Sequence, residues 1–175
     1  VRNPLNRTGL TLVSAALVAV LSQLEGTRYV PYEDIVNVWT VCQGYAGKDV
    51  IRNKVYTPAE CKALTESQLA AKGAGVLRCA TVALTQNEYD AYTLFSYNVG
   101  TAAFCGSSLL KKLNQGDHVG ACNGLLAWDH AGGKQVPGLH KRREFERRIC
   151  LGELPLASAG GVITYTWRSA NDLQA

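Results

Sequence analysis

Leu24-Glu25-Gly26, Tyr32-Glu33-Asp34 and Val38-Trp39-Thr40 make up the stretch that decides how this chain is read. Residues 8–24 carry no charge, and Glu25 closes that run just before Gly26. A carboxyl at the end of an apolar helix is partly desolvated, which disfavours its charged form and raises its pKa. Asp34 follows in a more polar segment and is expected to stay ionised. Two carboxyl groups pushed apart in this way suit the cleavage of a glycosidic bond.

Working outward toward the N-terminus, Arg2 and Arg7 precede the apolar run, the order found in an export signal. As one helix the run would span roughly 26 Å, just short of a hydrocarbon core of about 30 Å. Leu10, Val13, Leu17, Val20, Leu21 and Leu24 recur at helical spacing, and Thr11, Ser14, Ala15, Ala19 and Ser22 fill the opposite face. No small-x-small cleavage site follows, so the segment is expected to stay attached. Two uses stay open: a weak membrane anchor, or the first core helix of a globular protein. The expected organisation is an anchor-like helix over residues 1–24, a catalytic domain over 25–151 and a tail over 152–175.

Toward the C-terminus, residues 29–56 mix strand formers (Val36, Val38, Trp39, Thr40, Val41) with turn formers, which predicts a small antiparallel sheet. Thr57-Pro58-Ala59-Glu60 and Thr85-Gln86-Asn87-Glu88 are capping boxes opening two helices, the first reaching about residue 74 and the second ending near Asn98. Shorter helices are expected over 107–114, 117–128 and 139–150. The tail reads as a late hairpin or edge strand over 162–167. Together these elements predict an α+β fold, a mostly helical body with a small antiparallel β lobe.

With 175 residues, 47% of them hydrophobic, the chain can bury one real core. Its charged fraction of 18% is below the usual globular share of about 25%. The net charge of +4 suits an anionic polymer, but it is not concentrated enough for a nucleic-acid surface, and no binding motif accompanies it. The basic run Lys141, Arg142, Arg143, Arg147 and Arg148 reads as a solvated helix face paired internally with Glu144 and Glu146. Cys42, Cys61, Cys79, Cys105, Cys122 and Cys150 are too far apart for a paired metal or redox motif, and the histidines complete no zinc pattern. An even, dispersed set suggests disulfides and an oxidising compartment. Spacing leaves the pairing open; the sequential order 42–61, 79–105, 122–150 is the expected one. No metal or cofactor is expected.

Further blocks follow in order: Tyr97-Asn98-Val99-Gly100, Ser108-Leu109-Leu110, Leu113 to Asp117, Trp128, Gly132-Gly133-Lys134, and Pro137-Gly138-Leu139 with Arg142-Arg143 and Glu146. With the opening stretch, they make the chain resemble the phage-type lysozymes, the muramidase endolysins of tailed phages. The resemblance implies a lysozyme-like fold that hydrolyses the β-1,4 bond between N-acetylmuramic acid and N-acetylglucosamine in bacterial peptidoglycan. It implies Glu25 as general acid, Asp34 as its ionised partner and Thr40 as a holder of the attacking water. Tyr97-Asn98 reads first as a structural helix end, with Asn98 retained as a candidate substrate contact. Tyr45 stands where relatives commonly carry His, so it is the second such candidate.

The apolar N-terminal run makes the chain similar to the signal-arrest-release subgroup, which implies export to the host periplasm with tethering at the inner membrane through residues 8–24. A monomer is expected. The absence of cysteine from residues 1–41 argues against caging by an anchor thiol. Two rivals stay in view: a lytic transglycosylase, which works with a lone Glu, and a non-catalytic wall-binding or membrane-tethered protein on the same fold.

Overall fold

The computed structural model of the chain describes residues 10, 13–34, 37–154 and 156. Arg2, Arg7 and Thr11 of the export reading, Val36 of the strand reading and the tail strand 162–167 lie outside these residues. Helix α1 (Ala15–Glu25) starts well inside the uncharged run, because the Ser14 hydroxyl caps it, accepting from the Leu17 amide at 3.0 Å. A three-stranded antiparallel sheet follows, β1 (Arg28–Glu33), β2 (Trp39–Cys42) and β3 (Tyr45–Ala46), in the order β1-β2-β3. Helices α2 (Pro58–Cys79) and α3 (Gln86–Val99) both open on complete capping boxes, Thr57 with Glu60 and Thr85 with Glu88. Next come α4 (Thr101–Cys105), α5 (Ser108–Asn114) and α6 (His118–Gly124), with a 3₁₀ turn at Leu125–Ala127. A short hairpin, β4 (His130–Ala131) and β5 (Lys134–Gln135), leads into α7 (Pro137–Cys150).

Two apolar clusters divide the molecule. The larger, in the helical body, takes Leu17, Leu21 and Leu24 from α1, Leu69 and Val76 from α2, Phe95 from α3 and Ile149 from α7. Leu156, at the start of the expected tail, also reaches this core. The smaller cluster sits under the β lobe and gathers Val41, Cys42, Val50, Tyr56 and Cys61. Helix α2 belongs to both: Cys61 near its start serves the β lobe, and Leu69 and Val76 serve the body. It is the beam joining the two lobes.

Helix α2 runs past residue 74, because Gly73 and Gly75 are contact points and not breakers. A Cβ on Gly73 would lie 1.9 Å from the Tyr89 hydroxyl of α3, so glycine is what lets the two helices meet. Three disulfides, Cys42–Cys61, Cys79–Cys105 and Cys122–Cys150, close with Cα separations of 5.2, 5.5 and 5.7 Å. The first fastens the β lobe to α2, and the other two staple the helical body. Among the described residues no helix is long and apolar enough to cross a membrane.

Candidate active site

Glu25 is the last residue of α1. Gly26 caps the helix at φ +69°, its amide bonded to the Ser22 carbonyl at 3.1 Å, and turns the chain into β1 two residues later. A left-handed backbone here favours glycine, which is the physical content of the Glu-Gly pair. The Glu25 side chain keeps 24% of its surface exposed, and its Oε1 accepts from Arg142 Nη1 of α7 at 2.7 Å.

Asp34 directly follows β1. Its amide donates to the Val38 carbonyl at 3.0 Å and its Oδ1 accepts from the Val38 amide at 2.9 Å. Asn37, at φ +59°, completes this turn by donating its amide to the Asp34 carbonyl at 3.0 Å. Thr40 lies on β2, buried, opposite Tyr32 of β1, with its hydroxyl donating to the Val38 carbonyl at 3.2 Å. The β1–β2 register shifts between Arg28↔Cys42 and Tyr32↔Thr40, so three residues of β1 face one of β2. Pro31 sits in this bulge, where its missing N–H costs no ladder bond. The bulge shortens and bends the strand between Glu25 and Asp34. Glu25, Asp34 and Thr40 thus belong to one helix–turn–hairpin unit.

The basic run on α7 is not a uniformly solvated face. Lys141 and Arg148 are exposed, but Arg142 and Arg143 are buried with Glu146. Arg142 Nε donates to Glu146 Oε1 at 3.1 Å, and Arg143 Nη1 donates to Glu146 Oε2 at 2.7 Å. Glu144 pairs instead with His140, at 3.5 Å. Partners distant in sequence, Glu25 and Asn98, draw the two arginines inward. Burial opposes the charge on Arg142, yet Glu146 and Glu25 together hold its pKa above the ordinary value. Burial also pushes the Glu146 carboxyl up against the pull of both guanidiniums.

The two candidate substrate contacts engage different partners. Asn98, exposed at the end of α3, accepts from Arg143 Nη2 through Oδ1. It therefore connects to Glu25 through Arg143, Glu146 and Arg142 in turn. Tyr45 stands on β3, where its hydroxyl meets both Asp49 carboxylate oxygens, at 2.9 and 2.8 Å; that hydrogen bond, then burial, raises its pKa. Among the described residues no hydrogen bond or ion pair ties Tyr45 to Glu25.

Three polar residues around Glu25 were missed from sequence. Arg142 was read as part of a solvated basic face, and the contact to Glu25 spans 117 positions. Gln43 drew no reading from sequence, yet it is buried and bonded at each polar group of its side chain. Tyr97 donates to the Gln43 carbonyl at 2.8 Å and also reaches Gln68. Burial, and after it the negative charge of Glu25, push the Tyr97 hydroxyl well above its ordinary pKa. Among the described residues no group of three or more His, Cys, Asp or Glu side chains could hold a metal ion.

The phage lysozyme family model matches residues 22–146, which contain every residue of this site. The chain is 50% identical over 128 residues to the SAR-endolysin of Enterobacteria phage P21, a match covering 73% of this chain and 78% of that one. The crystal structure of a P22 lysozyme mutant superposes with a TM-score of 0.73 at 29% identity, covering 81% of this chain and 99% of that one. The muramidase domain of SpmX from Asticaccaulis excentricus superposes with a TM-score of 0.74 at 25% identity, over 81% and 98% of the two chains. A helix–turn–hairpin unit that carries two carboxylates, a helical body closed by α7 and these matches lead to one conclusion: the chain belongs to the phage lysozyme family.

Proposed function

We propose that this chain degrades bacterial peptidoglycan for host lysis, with Glu25 as general acid, Asp34 as the ionised partner and Thr40 as the residue that holds water. Hydrolysis of the β-1,4 bond between N-acetylmuramic acid and N-acetylglucosamine is the specific reaction. One observation supports the assignment above the rest: Glu25 ends a core helix at the Gly26 turn, in one helix–turn–hairpin unit with Asp34 and Thr40, and Arg142 orients its carboxyl group from 2.7 Å. In this reading Oε1 is fixed by the guanidinium and Oε2 carries the proton to the leaving glycosidic oxygen. The bound Asp34 turn keeps the second carboxylate on the hairpin side, and water activated there attacks the sugar. Whether the course inverts depends on the gap between the carboxyl groups, about 6.5–9.5 Å for inversion and about 5–5.5 Å for retention.

Residues 8–24 would direct export to the periplasm and hold the enzyme at the inner membrane until release. α1 then docks its Leu face into the body, which places Glu25.

Turbidity clearing of permeabilised Gram-negative cells tests the central claim. Glu25→Gln should abolish clearing while leaving binding to purified sacculi intact, and undiminished clearing would remove Glu25 from the mechanism. Mass spectrometry of the released muropeptides should find reducing ends; anhydro ends would identify a transglycosylase.

A further inference from the structure

We propose that Gln43 is a positioning residue for the reaction: its side-chain amide straps the turn that carries Glu25 and thereby fixes where the acid stands. The proposal rests on the assignment of Glu25 as the acid. Gln43 Nε2 donates to Thr27 Oγ1 at 2.9 Å and to Ser22 Oγ at 3.2 Å. Ser22 lies on the last turn of α1 and Thr27 just beyond its end, so the two bonds bracket Glu25 and Gly26. Ser22 is itself tied into the helix, donating to the Val18 carbonyl at 2.9 Å.

The bracketed segment has two other holds, the Gly26 amide on the Ser22 carbonyl and Arg142 on the tip of the Glu25 side chain. Gly26 has φ +69°, and nothing lies within 4 Å of where its Cβ would be. Glycine leaves the backbone of this turn more conformational freedom than any other residue would. The amide of Gln43 spans that turn.

The far side of the strap is rigid. Gln43 Oε1 accepts from Thr65 Oγ1 of α2 at 2.6 Å, and its main-chain carbonyl accepts from Tyr97 of α3. Cys42 adopts φ +59°, an uncommon conformation for a residue with a side chain, and is bonded to Cys61 of α2. Cys61 and Thr65 are four apart and share one face of α2. The same helix face therefore holds both the main chain beside Gln43 and its side chain. Both N–H groups and the carbonyl oxygen of the amide are engaged, and a fully satisfied buried polar group specifies a single arrangement. Shape filling alone would need only an apolar side chain of this size.

Misplacing a reacting group by about 1 Å can cost about 100-fold in rate. Gln43→Leu, which keeps the bulk and removes the strap, should lower kcat on a soluble glycan oligomer from peptidoglycan by about 10- to 100-fold. KM should change by less than about 3-fold, because the strap acts on the acid and not on sugar binding. Thr27→Val removes a single hydroxyl and should reproduce part of the loss. The double variant Gln43→Leu/Thr27→Val should fall no further than Gln43→Leu alone, since both cut one connection. Leu113→Ala, in the core of α5, serves as the stability control: it should melt earlier yet keep kcat well below its melting temperature.

A Gln43→Leu enzyme with kcat within about twofold of the parent, alongside an inactive Glu25→Gln, would overturn the proposal and leave the acid assignment standing. An active Glu25→Gln would overturn both. If Gln43→Leu does not fold, Thr27→Val and Thr65→Val decide: reduced kcat at constant KM supports the strap, and parental kcat in both refutes it.

Discussion

Asp90 offers a direct measurement of what the body sacrifices to bury a carboxyl. It lies on α3 with 1% of its surface exposed. Gln86 donates to its Oδ1 at 2.9 Å, and Oδ2 has no hydrogen-bond partner among the described residues. Burial raises its pKa to about 7, with the Gln86 bond pulling the other way. An unfolded chain would release this proton near pH 4. Between about pH 4 and about pH 7 the folded protein therefore holds a proton that the unfolded one has lost, and stability falls as pH rises. Each pH unit across that window costs about 1.4 kcal/mol, so the accumulated loss near neutrality is about 4 kcal/mol. Asp90→Asn keeps the shape and removes the titration. It should match the parent at pH 4 and exceed it by about 4 kcal/mol at pH 8, where the curve has flattened. For a chain of this size that is a melting temperature higher by about 8–16 °C. Urea unfolding with the disulfides intact, at pH 4, 5.5, 7 and 8, reads the difference, and contributions from other groups cancel between parent and variant. A difference that stays flat from pH 4 to 8, or shrinks as pH rises, would refute the reasoning.

Two further outcomes follow from the ionic contacts. Arg142→Met removes the guanidinium from both Glu25 and the buried Glu146, so it should cost about 3 kcal/mol, or about 6–12 °C in melting temperature, together with at least about 10-fold in kcat; an unchanged melt would show the pair to be idle. Asp129 is buried beside the β4–β5 hairpin, where hydrogen bonds from Gln135 at 2.6 Å, His140 at 2.7 Å and His130 at 2.6 Å depress its pKa to about 2. That stabilisation is complete above about pH 4 and fades as pH falls through about 2. Asp129→Asn should accordingly melt earlier at pH 7, and the gap to the parent should close in acid melts; a gap that persists below pH 2 would contradict this.

What could be read in advance was local. Both capping boxes are written in four consecutive residues, and both helices open on them. The Glu25–Asp34–Thr40 spacing was legible because a helix end, a turn and a hairpin fix it within a short stretch. The errors have a common origin in distance along the chain. The helix opened by Thr57 was expected to end near residue 74, because nothing local reveals that Tyr89 and Thr101 fill the space a side chain at Gly73 or Gly75 would take. Gly132 and Gly133, at φ +58° and +78°, fold a short hairpin that had not been expected between the helices. Ser14 was assigned to the polar face of a longer helix, but it caps a shorter one. Arg142 and Arg143 looked solvated, since a charge run seen in isolation belongs in water. Gln43 gave no signal, as its partners lie on α1, α2 and α3, with the segment after α1 supplying Thr27.

The pairing of Glu25 with Arg142 has an effect on timing. A ribosome delivers Glu25 117 residues before its guanidinium partner, and no nearer cation bonds to that carboxylate among the described residues. A segment that stops ahead of α7 would therefore leave the Glu25 carboxylate without this guanidinium, so the arrangement around it is completed by an element far along the chain.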